Sequence, residues 1–482
     1  MGDASGKKKV LSGMFWKFGE RFSAQFVTLV VSVVLARLLD PDHYGTVSIM
    51  LVFINIANVF VTESFSTALI QKKDADKVDF STIFYFNIVF SVFLYGIIFV
   101  IAPWVEAFYN MPNLCSAMRI LSLKLPISAI YSVQQAYVSK HMLFKKFFFA
   151  TIIGTVVSAV VGIVMAYNGF GVYALVGQYL TNSLIGTATL WIAVRWRPIW
   201  AFSFRSFKDL FQYGWKILVS ALIRTVYEDI YSLVIGKKYT SEDLAFYTKG
   251  KQYPQLIINN INTTITSVMF PALSKHQDNK DMVRSMMRRS IKTSSYILCP
   301  MMIGMAVVAK PLVSVVLTDK WLPCVPFLQL SCMALLLRPI QGANLQAIKA
   351  VGRSDLVLKL EIIKRVVGII ILIITMQFGV LAIALGSVAT AMVASALNAM
   401  PNKKLFGYTY SQQLLDLFPN LLISVVMGVI VHCVSYINLS AVWMLVVQVA
   451  VGGIAYVGLS IITRNDNFRY VLSTLKELKV RK

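Results

Sequence analysis

The sequence predicts an all-α membrane protein with about 14 transmembrane helices, arranged as two six-helix repeats and a carboxy-terminal pair. Of its 482 residues, 57% are hydrophobic and only 14% are charged, whereas soluble domains carry about 25% charged residues. The mean hydropathy is +0.68. Apolar stretches close to the ~20 residues needed to cross the hydrocarbon core recur along the whole chain.

These apolar stretches fall into three groups along the chain. The first six cover residues 20–39, 44–66, 80–103, 115–138, 147–167 and 172–194, the next six cover 213–236, 245–272, 292–317, 324–348, 357–377 and 380–400, and the last two cover 414–435 and 441–462. The fourth, eighth and tenth are the most polar, so their ends are the hardest to place. In the fifth, Gly154, Ser158 and Gly162 recur every four residues and predict close packing against a neighbouring helix.

The grouping divides the chain into four parts. They are an amino-terminal lobe (1–200), a carboxy-terminal lobe (201–404), a helix pair (405–463) and a basic tail (464–482). A basic hinge containing Arg195, Arg197, Arg205 and Lys208 joins the two lobes.

The net charge of +24 is concentrated in alternate loops. One set of loops holds most of the basic residues, among them Lys72, Lys140, Arg284, Lys349 and Lys403, and the opposite set holds Arg37, Lys237, Lys238, Lys310 and Lys320. Because basic residues collect in cytoplasmic loops, we expect a multi-pass protein with both termini in the cytoplasm. The charge also predicts contacts with membrane lipids and gives no reason to invoke nucleic acid.

Short motifs recur between the two lobes and indicate an internal duplication. Trp16-Lys17 returns as Trp215-Lys216, Leu125-Pro126-Ile127 as Arg338-Pro339-Ile340, and Phe170-Gly171-Val172 as Phe378-Gly379-Val380. The offset drifts from 199 to 213 residues, as small loop insertions would cause. Six helices per repeat is an even number, so both lobes are expected to insert in the same orientation.

Two apolar stretches carry a polar stripe at matching places. The stripes are Asn55, Asn58 and Thr62 in the first lobe and, about 204 positions later, Asn259, Asn262 and Thr266 in the second. Gln255 extends the second stripe by one turn, and Gln25 follows Arg21 on one face of the first stretch. A membrane helix with one polar face lines a cavity or a polar seam. We predict that the lobes face each other across a shared polar chamber; the alternative is that these residues only join helices.

Charged residues inside the apolar stretches are candidate functional groups, because charge at membrane depth is costly. The predicted substrate-binding cations are Arg21, Lys124, Arg224, Lys251 and Arg338. Such an excess of cations suits an anionic substrate, such as a diphosphate or an acidic sugar. Glu228 and Asp229 are candidates for a coupling cation, H⁺ or Na⁺.

Structural explanations compete with these assignments. Arg21 could extend to the cytoplasmic interface, and Arg224 with Glu228 has the i, i+4 spacing of an ion pair within a helix. Lys124 and Arg338 each lie next to or near a helix proline, which permits bending. The sequence leaves these alternatives open.

Enzymatic motifs are missing from the sequence. There is no phosphate-binding loop, no HExxH and no GxSxG, and the outer loops are too short to build a catalytic domain. The five cysteines and four histidines are scattered, so neither a metal site nor a disulfide framework is indicated. We therefore predict no catalytic residue, no metal and no cofactor beyond a coupling ion.

The chain resembles a known family over nearly its whole length, from about Leu11 to Arg464. The run RFSAQFVTLVVSVVLARLLDPDHYGTVSIMLVFINI, followed by STALIQKKD, is similar to the polysaccharide transporter (Wzx-like) family of the multidrug/oligosaccharidyl-lipid/polysaccharide flippase superfamily. The motifs that carry the resemblance are Ala36-Arg37-Leu38-Leu39-x-Pro41-x-x-Tyr44-Gly45 and Ala68-Leu69-Ile70-Gln71. One departure is the segment 63–66, where many relatives have glycines.

The resemblance implies two six-helix lobes that form a V around a cationic cavity open alternately to either side. It implies transport of an undecaprenyl-diphosphate-linked oligosaccharide across the bacterial inner membrane. The products would be capsule, exopolysaccharide or O-antigen, with polysaccharide polymerase or assembly proteins as partners. The last two helices would border a groove for the lipid tail.

Three other functions compete with a flippase. An exporter of cationic drugs or metabolites in the same superfamily would need a chamber dominated by carboxylates. An integral membrane enzyme that makes or breaks lipid-linked sugars would need larger outer loops. A scaffold for polysaccharide assembly would tolerate changes in the chamber.

Overall fold

The structure, a computed structural model, consists of α-helices joined by short connecting segments in the part of the chain that it describes. It describes residues 19, 23–62, 64–72, 74–470 and 472–473, apart from the side chains of residues 64, 213 and 262–268. No β-strand occurs within these ranges. The all-α prediction is confirmed.

Eighteen α-helices and one short 3₁₀ helix run from residue 23 to residue 462, and residues 466–470 are also helical. They are α1 (Ser23–Leu38), α2 (Pro41–Thr62), α3 (Ser64–Gln71), α4 (Lys77–Tyr109), α5 (Leu114–Leu121), α6 (Lys124–Lys140), α7 (Phe144–Tyr167), α8 (Val172–Ala193), α9 (Phe204–Lys238), α10 (Ser241–Lys275), α11 (Lys280–Val307), α12 (Ala309–Val316), the 3₁₀ helix (Asp319–Cys324), α13 (Val325–Leu335), α14 (Arg338–Ala350), α15 (Ser354–Thr375), α16 (Val380–Phe406), α17 (Tyr410–Val434) and α18 (Ala441–Ile462). Each of the 14 predicted apolar stretches coincides with one helix or with one interrupted helix.

The chain is a multi-pass membrane protein. Within the described residues, eight helical segments are long and apolar enough to cross a bilayer, or nine if α11 and α12, which meet at 70°, form one span. The other predicted spans correspond to α1, α8, α9, α10 and α15, which are shorter or more polar. Both α9 and α10 have 35 residues, so each is long enough to span at about 1.5 Å per residue. The count of 14 remains a prediction.

The described helices form two compact units, Met1–Ala245 (unit 1) and Phe246–Lys482 (unit 2). The division lies later in the chain than the predicted lobe boundary at residue 200, because α9 packs against α2, α3 and α4. The repeat-based lobes therefore remain a prediction from sequence.

Unit 1 is organised around the pair α7 and α8. A Cβ atom added to Gly154 would lie 3.1 Å from the backbone oxygen of Asn182, and one added to Gly162 would lie 3.0 Å from the Cβ of Gln178. Ser158 is buried between them along α7. The small residues at four-residue spacing thus allow the close approach that the sequence predicts.

The basic hinge packs against the start of α4 in unit 1. The backbone N–H of Ile199 donates to the Ser81 hydroxyl at 3.0 Å, and that of Ser203 donates to the Thr82 hydroxyl at 3.1 Å. Trp196 is buried against Phe80. These contacts hold the chain between α8 and α9 against the start of α4.

Unit 2 is organised around α11 and α17. The amide of Asn420 on α17 donates to the backbone oxygen of Lys292 at 2.9 Å and to the Ser295 hydroxyl at 2.8 Å. On α18, the Tyr456 hydroxyl donates to the backbone oxygen of Tyr296 at 2.7 Å. Because unsatisfied polar groups in the bilayer are costly, these buried bonds fix how α17 and α18 pack on α11.

Candidate functional site

Unit 1 contains a polar cavity of about 360 Å³ between α2, α6, α7 and α8. Its lining residues are Asn58, Thr62, Lys124, Ser128, Tyr131, Gln135, Ala150, Thr151, Asn182, Ser183, Gly186 and Thr187. Three of these, Asn58, Thr62 and Lys124, are residues that the sequence singles out. We call this space the polar cavity.

The wall formed by α6 supplies the charge of the polar cavity. Lys124, Ser128, Tyr131 and Gln135 are three or four residues apart, so they share one face of the helix. Lys124 is the first residue of α6, directly after the break that separates it from α5. Its Nζ lies 5.7 Å from the centroid of the Tyr179 ring. Among the residues that line the cavity, Lys124 is the one charged side chain and there is no carboxylate.

The wall formed by α2 supplies hydrogen-bonding groups. The Thr62 hydroxyl donates to the backbone oxygen of Asn58 at 2.9 Å. The side-chain oxygen of Asn58 is buried and has no hydrogen-bond partner among the described residues. A buried acceptor without a donor is unfavourable, so this oxygen is suited to accept from a ligand or from water. Asn55, one turn earlier, is exposed and does not line the cavity.

The polar cavity combines a cation with groups that both donate and accept hydrogen bonds. Amides and hydroxyls have both capacities, which is what the hydroxyl groups of a sugar require. An ammonium group is a common ligand for phosphate. The lining thus fits a molecule that carries both negative charge and many hydroxyl groups.

The second polar stripe lies on α10 in unit 2. The Gln255 amide donates to the side-chain oxygen of Asn259 at 3.1 Å, so two residues of the predicted stripe bond to each other. The Nζ of Lys251 lies 3.3 Å from the Tyr247 hydroxyl and 4.8 Å from the centroid of its ring. The side chains of Asn262 and Thr266 lie outside the described residues.

Arg338 begins α14 in unit 2 much as Lys124 begins α6 in unit 1, although the repeated motif aligns Arg338 with Leu125. Each is the first residue of a helix that follows a two-residue break, α14 for Arg338 and α6 for Lys124. Arg338 borders a crevice of only about 10 Å³, which it shares mostly with apolar residues such as Ile258 and Leu298. A crevice of this size cannot hold a sugar. Lys124 therefore borders a space large enough for a ligand, and Arg338 does not.

The remaining predicted residues lie apart from the polar cavity. Arg224 and Glu228 are exposed on α9, and Asp229 is half-buried on the same helix. Gln25 is half-buried on α1, and Arg21 lies outside the described residues. Across the ranges that the structure describes, no group of three or more potential ligands could hold a metal ion.

Sequence reasoning missed most of the polar cavity. Ser128, Tyr131 and Gln135 continue from Lys124 at helical spacing, so that pattern could have identified them. Asn182, Ser183 and Thr187 on α8 carry no such signal, because their helix is polar on more than one face. Lys249 lies within the eighth predicted apolar stretch (245–272); it is 4% exposed, and its Nζ lies 5.7 Å from the Trp321 ring centroid.

Comparison with protein families gives a match over more than half of the chain. The family model described as "Polysaccharide biosynthesis protein" matches residues 34–326. The teichuronic acid biosynthesis protein TuaB of Bacillus subtilis (strain 168) is 25% identical over 470 residues, which cover 93% of this chain and 94% of that protein. The lipopolysaccharide biosynthesis protein WzxC of Escherichia coli (strain K12) is 24% identical over 436 residues, 88% of each chain.

Comparison with solved structures identifies the fold. The lipid II flippase MurJ in its inward closed conformation has a TM-score of 0.76 with this chain, over 94% of this chain and 99% of that one. The sequence identity is 13%. At this identity the likeness establishes a common fold and leaves the transported molecule open.

Proposed function

The chain belongs to the polysaccharide biosynthesis protein family, and we propose that it is a flippase that moves a lipid-linked oligosaccharide across the bacterial inner membrane. The observation that carries the proposal is the polar cavity, a space inside a membrane-embedded unit in which one ammonium group stands among uncharged amides and hydroxyls. The family membership, the two biosynthetic relatives and the fold shared with a lipid II flippase support it.

In this proposal Lys124 holds the diphosphate that joins sugar to lipid. A hydrogen bond between charged groups contributes about 1.5–3 kcal/mol, and the membrane interior strengthens it by excluding water. Asn58, Gln135 and the hydroxyl-bearing residues of the cavity bind the sugar. The lipid tail stays in the bilayer, so the cavity has to accommodate only the head group.

The lining of the polar cavity argues against the two competing activities. An exporter of cationic molecules requires carboxylates, and the described lining has none. Glycoside hydrolysis generally uses a pair of carboxyl groups, and the lining contains no Asp or Glu. We therefore propose a transporter rather than an enzyme.

The proposal extends to orientation, coupling and partners. The charge distribution supports an orientation with both termini in the cytoplasm. Glu228 and Asp229 on α9 are the proposed carboxylates for coupling to H⁺ or Na⁺, and a flipping rate that is insensitive to both gradients would rule this out. Polysaccharide polymerase or assembly proteins are the proposed partners that receive the flipped molecule.

A reconstituted system tests the flippase function directly. Purified protein is placed in vesicles containing an undecaprenyl-diphosphate-linked oligosaccharide, and a glycosidase that cannot cross the membrane reports the fraction of sugar on the outer face. We expect Lys124→Gln to slow flipping by about 10- to 150-fold, from the loss of 1.5–3 kcal/mol. Lys208→Gln, which removes an exposed lysine of α9, should leave the rate unchanged.

This experiment tests the flippase function and the assignment of the diphosphate to the polar cavity separately. If the unaltered protein flips no faster than protein-free vesicles, the flippase function is wrong for this cargo. If the unaltered protein flips and Lys124→Gln flips equally fast, the function stands and the assignment of the diphosphate to the polar cavity is wrong.

A further inference from the structure

A second cationic space lies in unit 2, on the first turns of α11. It is a pocket of about 370 Å³ lined by Asp281, Arg284, Ser285, Arg288, Arg289 and Lys292. Four of these six residues are cations and one is a carboxylate. We call this pocket the basic pocket; it belongs to the other unit from the polar cavity and is not used in the proposed transport of the cargo.

Part of the basic pocket is held in place by a buried carboxylate. Asp416 on α17 accepts hydrogen bonds from the Nε and Nη2 atoms of Arg288, both at 2.8 Å, and from the Tyr408 hydroxyl at 2.7 Å. The Nζ of Lys292 lies 3.2 Å from the same carboxylate. With Asp281 and Asp416 counted against four cations, the pocket keeps an excess of positive charge. Asp416 therefore orients the cations without neutralising them.

The other two arginines present donors that the protein does not use fully. The Nε of Arg284 is buried and has no hydrogen-bond partner among the described residues. The guanidinium carbon of Arg289 lies 3.2 Å from the centroid of the Tyr470 ring, and this cation–π contact does not use the N–H groups that could donate to an anion. Planar guanidinium groups bind phosphate oxygens in pairs.

The position of the basic pocket in the helices places it at the membrane boundary. It occupies the start of α11, and α17 beside it begins at Tyr410 and is long and apolar enough to span the bilayer. Leu415 and Phe418 near the start of α17 are 68% and 53% exposed. The charged residues of α11 and the exposed apolar residues of α17 are thus separated by about two helical turns. Such a change from charged to apolar surface is expected at the level of the lipid headgroups. The charge distribution assigns this side to the cytoplasm.

We propose that the basic pocket binds the headgroup of an anionic phospholipid of the cytoplasmic leaflet. The phosphate is held by Arg284 and Arg289, and the acyl chains lie along the exposed apolar side chains of α17. Basic surfaces on this side of the membrane are suited to such headgroups, and each basic residue strengthens binding by about fivefold. Free phosphate shares the headgroup's chemistry but lacks the chains that would use the apolar surface.

Native mass spectrometry of the full chain tests this site. The protein is released from nanodiscs of phosphatidylcholine alone or with phosphatidylglycerol, and the bound lipids are counted. We expect selective retention of phosphatidylglycerol, and an affinity lower by about 30-fold in Arg284→Gln/Arg289→Gln, from two basic residues. The matched control Lys403→Gln/Lys404→Gln removes two exposed cations from the last turn of α16 and should retain the lipid. Added inorganic phosphate should not displace it.

Several results would overturn the proposal. Equal loss of lipid in the two double variants would mean diffuse attraction to basic surface, and displacement by inorganic phosphate would mean a site for free anions. Equal retention of phosphatidylcholine and phosphatidylglycerol by the unaltered protein would exclude selectivity. Should Arg284→Gln/Arg289→Gln fail to insert, Arg284→Gln alone replaces it, with an expected loss of about fivefold; an unchanged affinity in that variant would also refute the site.

Discussion

Replacement of Gly45 by alanine tests whether the contact between the starts of α2 and α10 governs a conformational equilibrium. A Cβ atom added at Gly45 would lie 2.5 Å from the carbonyl carbon of Ser241 and 2.9 Å from its Cα, and nearer still to its oxygen. The Ser241 hydroxyl also donates to the carboxylate of Asp42. The first turns of the two helices are therefore in backbone contact, on the side of the membrane that the charge distribution predicts to be outside.

The size of the expected shift in the equilibrium follows from the space that the new methyl group needs. To reach an ordinary carbon–carbon separation of about 3.5 Å, the two backbones must move apart by about 1 Å. Overpacking of this kind costs about 1–3 kcal/mol, which corresponds to a 5- to 150-fold shift in an equilibrium between closed and separated contacts. In a flippase that opens and closes here, Gly45→Ala should populate the separated form.

The assay is the labelling rate of a cysteine at position 241 (Ser241→Cys) by a maleimide that cannot cross the membrane, with the five native cysteines replaced. We expect Gly45→Ala to accelerate labelling by at least about fivefold. Gly96→Ala is the matched control, because a Cβ atom there has no neighbour within 4 Å. An unchanged labelling rate would refute the reasoning, and so would equal acceleration by Gly96→Ala.

Three further substitutions test the packing inside each unit, with thermal unfolding as the measurement. Asp416→Asn should destabilise the protein by about 1–3 kcal/mol, because Asp416 is buried and accepts from three side chains, whereas Asp355→Asn, in an exposed pair, should have no measurable effect. Gly154→Leu should prevent the close approach of α7 to α8 and lower the unfolding midpoint, while Gly453→Leu, which meets no neighbouring atom, should not. Asn420→Ala should cost about 1–3 kcal/mol, because it leaves buried partners unpaired. A variant with the same unfolding midpoint as its control, or for Asn420→Ala the same midpoint as the unaltered protein, would contradict the prediction.

The sequence predicted only part of the polar cavity. On α6 it predicted Lys124 and missed Ser128, Tyr131 and Gln135, although these follow Lys124 at helical spacing on the same face. The α2 wall was predicted in part, since Asn58 and Thr62 line the cavity and Asn55 does not. Periodicity shows which residues share a face, but not which other helix that face meets. The polar residues of α8 were missed for this reason.

Because periodicity does not show which helices meet, the sequence also could not predict how much space lies beside each predicted cation. Lys124 and Arg338 have the same position after a helix break, and the sequence treats them alike. One borders a cavity of about 360 Å³ and the other a crevice of about 10 Å³. The difference depends on the volume of side chains contributed by other helices, which neither charge nor hydropathy at these positions records.

The sequence alone determined that the chain is helical, that it crosses the membrane many times and that it resembles polysaccharide transporters. These properties depend on local composition, because about 20 consecutive apolar residues suffice to span the bilayer. Only the tertiary structure decided which polar groups meet. Asp416 and Arg288 are 128 positions apart, and Asn58 reaches the same cavity as Asn182 through the packing of α2 and α8. Such meetings depend on how helices distant in the chain pack together, and hydrophobic periodicity carries no record of that packing.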